Sequence, residues 1–291
     1  MKIVSTSATA DTGTTSIEAV RHWHRELPGD HRIGLVPTMG ALHEGHLSLI
    51  RRARAECDQV ALTIFVNPAQ FGPGEDLESY PRTVEQDLEA AREVGVDLVW
   101  IGDRQELYPD GFSTHIELPQ LAQRLCGASR PHFFAGVCLI VLKLFHIFAP
   151  DRAYFGDKDY QQRVIIECMV RDLDLDLEVV ACPLIREPDG LALSSRNVHL
   201  DPAAREQALT LSSALFAAEQ QWRSGLDSAQ KIRDRALMEL SGEVELDYFE
   251  VVDRNDLSAL EVIDPKLGAV ACLAATVGGV RLIDNIQLEP R

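Results

Sequence analysis

Four segments of this 291-residue chain hold residue types that handle phosphate or fix a small polar substrate. The first runs from Pro37 to His46 and reads P-T-M-G-A-L-H-E-G-H. Gly40 and Gly45 let the backbone turn sharply and approach a ligand. His43 and His46 share one side of a helical turn, where both can donate to phosphate oxygens. A helix N-terminus there would add free N–H groups and a partial positive charge. The second segment, Phe65 to Phe71, carries the amides of Asn67 and Gln70. The third, Phe155 to Gln162, offers Lys158 as a point charge for phosphate. Its Asp159 could hold Mg²⁺ directly or through water, and Gln162 follows one helical turn after Lys158. The fourth, Asp189 to Asn197, places Ser194, Ser195 and Arg196 where they could wrap a triphosphate.

Each segment alone fits an ordinary turn, helix start or linker. Together they describe ATP chemistry performed by positioning and electrostatics. The chain contains no G-x-x-x-x-G-K-[ST] loop, no G-x-G-x-x-G after a strand, no G-x-S-x-G elbow and no zinc spacing.

For these groups to meet, the segments must lie at strand ends or at a hinge. Arg32–Pro37 and Gln59–Val66 read as strands, with a helix over His46–Cys57 between them. Thr83–Val94 reads as a helix with Thr83 as N-cap and Gln86 completing a capping box. A strand at Asp97–Ile101, a helix near 133–149, a strand at Ala153–Phe155, a helix at Tyr160–Asp172 and a strand at Leu177–Pro183 follow. This alternation predicts an α/β fold, a Rossmann-like parallel sheet with helices on both faces. Ligands of such sheets bind outside the carboxyl ends of the strands, which puts the first three segments on one rim.

Beyond about residue 185 the pattern changes. A loop at Arg186–Asn197 precedes a helix capped by Asp201–Pro202 and ending near Trp222, then a helix at Ser228–Leu240. Strands near Glu245–Val252, Ala269–Thr276 and Arg281–Asp284 complete a smaller α+β domain. The predicted division is residues 1–184 for the Rossmann-like, ATP-binding domain and 185–291 for a C-terminal domain whose hinge loop closes over the nucleotide.

The formal net charge is −17. So acidic a surface repels nucleic acid and anionic membrane. The first 70 residues are neutral and residues 71–110 strongly acidic. The excess acid is thus expected to lie mostly away from the phosphate motifs. Only 5 of the 28 basic residues are Lys, and Lys158 is one of them. The six cysteines form no C-x-x-C pair and read as buried hydrophobes of a reducing compartment. The Met1–Ser16 stretch lacks the apolar core of a signal peptide. The apolar run Phe133–Ala149 is shorter than the ~20 residues of a membrane span. A cytoplasmic protein is expected.

The chain resembles the pantothenate synthetase (pantoate–β-alanine ligase) family. The likeness rests on L-V-P-T-M-G-A-L-H-E-G-H (35–46), I-F-V-N-P-A-Q-F (64–71), Y-P-R-T (80–83), F-G-D-K-D-Y-Q-Q (155–162), D-G-L-A-L-S-S-R-N (189–197) and R-L-I-D-N (281–285). It implies a two-domain homodimer that condenses pantoate with β-alanine through a pantoyl adenylate, using ATP and Mg²⁺, with pantoate also held by the 1–184 domain. It further implies that Met39, Gly40, Ala41, Leu42, His43, Glu44, Gly45 and His46 bind ATP, with Gly156, Asp157, Lys158, Asp159, Ile185, Leu193, Ser194, Ser195 and Arg196. His46 would be the proton donor, with His43, Lys158 and Asn67 also catalytic. Gln70 would contact pantoate and β-alanine, Gln162 pantoate, and Asp87 with Asp159 the metal. The family usually has Glu at position 157 and His at position 133, where this chain has Asp and Phe. The alternative is another nucleotidyltransferase of the same superfamily, one that takes a phosphorylated co-substrate.

Overall fold

The structure, a computed structural model, describes residues 1–9, 14–118 and 120–291. Six parallel strands form one sheet: β1 (Lys2–Ser5), β2 (Ile33–Thr38), β3 (Gln59–Ile64), β4 (Leu98–Ile101), β5 (Arg152–Gly156) and β6 (Glu178–Cys182). Their order is β1-β4-β3-β2-β5-β6. β2 pairs with β3 from Ile33↔Gln59 to Thr38↔Ile64, and with β5 on its other side. The chain winds outward in both directions from the β2–β5 pair. A crevice therefore opens at their carboxyl ends, the switch point where open α/β sheets take ligands.

Ten helices accompany the strands among the described residues: α1 (Thr6–Thr9), α2 (Ser16–Glu26), α3 (Glu44–Glu56), α4 (Val84–Glu93), α5 (Arg104–Leu107), α6 (Cys126–Ser129), α7 (Phe133–Phe148), α8 (Tyr160–Asp172), α9 (Pro202–Arg223) and α10 (Ala229–Leu237). Both faces of the large sheet are covered, so β2 and β3 read as continuous apolar runs rather than alternating ones. On one face α7 buries Phe134, Val137, Leu144 and Phe148 with Trp23 of α2 and Ile165 of α8. On the other, Ile50 and Ala53 of α3 and Ala91 of α4 meet Val36, Leu62 and Val99. Each large side chain so buried contributes about 1.5–3 kcal/mol.

The C-terminal part is a three-stranded antiparallel sheet, β7 (Glu245–Val252), β8 (Ala269–Val277) and β9 (Val280–Leu288), in that order. Leu211, Leu215 and Trp222 of α9 and Ile232 of α10 pack on Phe249, Ala271 and Leu273. Val252, Val270 and Cys272 instead join the core beneath α7 and α8. Asp201 caps α9 as expected, accepting the Ala204 N–H at 2.8 Å.

Some local details differ from the sequence-based expectations. β1 and α2 stand where no element is predicted. β1 is a short edge strand held by β4 alone, and α2 is fixed by a Thr15–Glu18 capping box. Residues 10–13 of the N-terminal stretch lie outside the described residues. The capping box predicted at Thr83 does not form. Its hydroxyl donates to the Asp87 carboxylate at 3.1 Å, a stronger acceptor one turn on. β9 outruns Arg281–Asp284 because its pairing with β8 continues to Leu288↔Ala269. The cysteines are all free, and only Cys168 is not buried. Among the described residues no helix is long and apolar enough to cross a membrane.

Candidate active site

A cavity of about 670 Å³ lies at the carboxyl ends of β2, β3 and β5 and under the C-terminal sheet. That is the size range of small-molecule sites. Each of the four motif segments reaches it.

The segment after β2 is built around two glycines and one carboxylate. Gly40 has φ +82°, and a Cβ there would meet Asp87 Oδ2 at 2.9 Å. Asp87, 2 % exposed on α4, accepts Ala41 N–H at 3.0 Å and Leu42 N–H at 2.8 Å. With the Thr83 hydroxyl, these bonds commit Asp87 to the loop, and its side chain does not line the cavity. The expected metal contact at Asp87 thus meets a carboxylate already engaged by three donors. α3 then begins at Glu44. His43 is its N-cap, with Nδ1 accepting Gly45 N–H at 3.1 Å. His46 Nδ1 faces the His43 N–H at 3.4 Å. With Nδ1 of both rings turned to backbone donors, the remaining proton of each neutral imidazole sits on Nε2. The rings lie 4.1 Å apart, centroid to centroid. Gly45 makes room for them, because a Cβ there would stand 2.8 Å from His43 Cε1.

Burial lowers the His43 pKa to about 4, with nearby Lys158 adding to the fall and Asp159 opposing it. Burial, His43 and Lys158 together lower that of His46 to about 3. The pair is therefore uncharged at neutral pH. It offers oriented N–H dipoles to an incoming anion, and no charge.

After β3, Asn67 is the N-cap of a 3₁₀ turn over Pro68–Gln70. Asn67 is 1 % exposed, and its amide is bonded to Gln70, Gly136, Ala69 and Tyr108. Gln70 reaches the cavity and donates through Nε2 to Met39 Sδ at 3.2 Å.

After β5, Lys158 and Asp159 line the cavity together, Nζ to Oδ1 at 3.8 Å. Gly156, Gln161 and Gln162 also line it, and the Gln161 amide donates to the carbonyls of Leu121 and Arg124. Asp157 points elsewhere. It is buried, paired with Arg163 at 2.5 Å and bonded by Gln287. Gly40, Ala41, Leu42, Glu44 and Asp157 are thus absent from the cavity wall, and the Glu44 side chain pairs with Arg51. Met39, His43, Gly45, His46, Ile185, Leu193, Ser194, Ser195 and Arg196 are present in it.

The loop at 189–197 lines the remaining side. Ser194 caps a 3₁₀ turn, and the Ser195 and Tyr80 hydroxyls are 3.2 Å apart. Arg196 grips Asp76 through Nε at 2.7 Å and Nη2 at 3.0 Å. The acidic 71–110 segment is therefore not remote from the phosphate motifs. Asp76 and Asp87 fold back to organise two of them, and Glu75 pairs with Arg130. Sequence reasoning also passed over Arg130, Tyr80, Asp284 and Asn285, although Tyr80 and the Asp284–Asn285 pair stood in the quoted motifs. At the position where the family usually has His, Phe133 lines the cavity beneath the Arg130 guanidinium, 3.9 Å from its ring centroid. His132 beside it is exposed and does not line the cavity.

Comparison with known proteins gives the family. The profile of the family described as pantoate-beta-alanine ligase matches residues 12–287. The pantothenate synthetase of Thermotoga petrophila is 49% identical over 276 residues, 94% of this chain and 98% of that one. A relative of the same name from Acidobacterium capsulatum is 51% identical over 265 residues, 90% of this chain and 88% of its own. The crystal structure of pantothenate synthetase from Thermus thermophilus superposes over 100% of both chains with TM-score 0.89 at 41% identity. That of the Francisella tularensis pantoate-beta-alanine ligase, complexed with beta-gamma ATP and beta-alanine, does so with TM-score 0.80 at 33% identity.

Proposed function

The chain belongs to the pantoate–β-alanine ligase family, and on that premise we propose how its own residues join pantoate to β-alanine at the expense of ATP. A pantoate carboxylate oxygen attacks the α-phosphorus of ATP. The bond to the β-phosphate breaks and pyrophosphate leaves. The β-alanine amine then attacks the acyl carbon of the pantoyl adenylate, loses a proton and expels AMP. The observation that carries this reading is the convergence of His43, His46, Lys158, Arg196, Gln70 and Gln162 on one cavity.

The central difficulty is the approach of one anion to another. Lys158 supplies fixed positive charge at the end of β5. His43 and His46 direct Nε2–H groups at the phosphates, and His46 is the donor to the departing charge. Ser194, Ser195 and the outer edge of Arg196 meet the triphosphate as the hinge loop shuts, which keeps water from the adenylate. Gln70 and Gln162 hold pantoate, and Asn67 orients Gln70. Met39, Gly45, Gly156, Ile185 and Leu193 shape the nucleotide's bed. Gly40, Ala41, Leu42, Glu44 and Asp157 act through backbone and turn geometry. Asp159 faces the cavity, and one or two carboxylates plus phosphate oxygens are the usual ligands of Mg²⁺. Asp159 would hold a magnesium ion at this wall, and the ion would screen the phosphate charge.

In this reading residues 1–184 bind ATP and pantoate, and residues 185–291 carry the closing loop. We place the protein in the cytoplasm, in keeping with its free thiols, and as a homodimer, as its family resemblance suggests. The decisive experiment is exchange of labelled pyrophosphate into ATP without β-alanine. Exchange that requires pantoate supports the adenylate route. Exchange driven instead by a phosphorylated co-substrate would move the chain to the rival nucleotidyltransferase class, which the uncharged amides of Gln70 and Gln162 argue against.

A further inference from the structure

Tyr108 stands outside the cavity wall, on the loop that follows α5. Its hydroxyl donates to Asn67 Oδ1 at 2.8 Å. Its ring is packed by Phe65 (centroids 6.5 Å) and edge-on by Phe112 (5.3 Å), and Lys143 Nζ lies 5.6 Å from its centroid. It is a clamped side chain with one polar contact reaching toward the site.

The Asn67 amide has its polarity set by two backbone groups that cannot exchange roles. The Ala69 N–H can only donate, and meets Oδ1 at 3.3 Å. The Gly136 carbonyl can only accept, and meets Nδ2 at 3.1 Å. The Tyr108 hydroxyl completes Oδ1, and Gln70 Oε1 takes the second Nδ2 hydrogen at 3.1 Å. All four hydrogen-bonding positions of the buried amide are then filled. Because Nδ2 is a donor, Gln70 must turn its oxygen toward Asn67 and its Nε2 hydrogens toward the cavity. There they meet only the weak acceptor Met39 Sδ, which a substrate oxygen displaces.

We infer that Tyr108 is a positioning residue that, by completing the bonds of the Asn67 amide, holds it where it presents Nδ2 to Gln70 and so keeps the Gln70 N–H donors facing the substrate, so that this wall selects an oxygen acceptor such as a carboxylate or hydroxyl of the acid. The inference rests on the reading that Gln70 contacts pantoate. Tyr108 touches no substrate, and its effect passes wholly through the Asn67–Gln70 pair.

The test is a double-mutant cycle in the full-length enzyme, with Michaelis constants for pantoate and ATP measured separately. Tyr108→Phe removes one hydrogen bond and keeps the ring. It should raise the pantoate KM about 3- to 10-fold, the scale of one buried hydrogen bond, and leave the ATP KM within twofold. Gln70→Ala should raise the pantoate KM further. Adding Tyr108→Phe to Gln70→Ala should then change nothing more, because contacts in one chain are not additive. Full additivity, an unchanged pantoate KM in Tyr108→Phe, or an equal rise in both constants would each overturn the role of Tyr108. An unchanged pantoate KM in Gln70→Ala would instead sink the substrate assignment beneath it. Asn67→Asp gives an independent check. It offers Gln70 an acceptor and so turns Oε1 into the cavity, and pantoate binding should fall well below that of Tyr108→Phe.

Discussion

Asn285 of the C-terminal sheet donates from Nδ2 to the main-chain carbonyls of Lys158 at 3.0 Å and Asp157 at 2.7 Å. One side chain from β9 therefore holds the turn that aims the cavity's lysine. Its neighbour Asp284 accepts two bonds from Arg186, just before the 189–197 loop. The same dipeptide thus ties both the lysine turn and that loop to one strand. Asn285→Ala leaves two carbonyls without their donor, at about 1 kcal/mol each. We expect kcat/KM for ATP to fall roughly 10- to 30-fold, with the pantoate KM little changed. Steady-state kinetics beside a thermal melt checks it. A value within twofold of wild type would show that the turn holds itself.

The histidine pair gives a pH signature. Both imidazoles are neutral in the free protein, with pKa values of about 4 and about 3. Each Nδ1 accepts a backbone N–H, so a second proton has no place on either ring and ATP meets the neutral pair. The histidines then take up no proton on binding between pH 8 and 6. Calorimetry in buffers of different ionisation enthalpy should show the same proton uptake for the wild type and a His43→Gln, His46→Gln variant, with weaker ATP binding in the variant. Uptake that falls in the variant would show that the pair is charged in the complex. The shifts act on folding with a definite sign. Unfolded histidines take up protons below about 6.5, and the folded ones do so only near 4 and 3. The unfolded state binds more protons in that window, so the ligand-free protein loses stability as pH is lowered through it. His46→Gln should flatten that loss in urea melts between pH 7 and 5.

What was legible in the sequence follows from range. The strand–helix alternation, the Asp201–Pro202 helix start and the motif ends of β2, β3 and β5 are local patterns, and the fold reproduces them. The contacts that passed unread link distant residues. Asp87 reaches across 45 positions to Leu42, Arg196 across 120 to Asp76, and Asn285 across 127 to Lys158. Composition places the acid of residues 71–110 in that segment. It cannot show that two of those carboxylates turn back to hold the loop before α3 and Arg196. Likewise, spacing brings His43 and His46 to one side of a turn, and only burial reveals that they are uncharged there.

Gly45 separates packing from chemistry. A methyl at this position meets the His43 ring at 2.8 Å, inside contact distance. The backbone at Gly45 is helical, so Ala is tolerated there and even favoured by helix propensity. Gly45→Ala should therefore cost at most about 1–3 kcal/mol of stability, the range for overpacking. It should also displace His43 and lower kcat by more than tenfold. A folded variant with full turnover would mean that His43 can leave its observed position without consequence.

Asp87 offers the sharpest contrast between two roles. As a metal ligand it would set the magnesium requirement. As the acceptor of Ala41, Leu42 and Thr83 it sets the shape of the loop before α3. Asp87→Ala leaves two backbone N–H groups without their charged partner, and hydrogen bonds to charged groups are worth about 1.5–3 kcal/mol each. Asp87→Asn keeps one oxygen acceptor and turns an amide toward the other N–H, so it should be nearly as damaging. The loop role predicts a lower melting temperature and a raised ATP KM for both variants. It also predicts that the magnesium concentration giving half-maximal rate, measured at saturating ATP, stays where it is in the wild type. A metal role predicts the reverse, an intact fold with that midpoint moved upward severalfold. Because Asp87 is nearly inaccessible and lies off the cavity wall, the first pattern is the expected one.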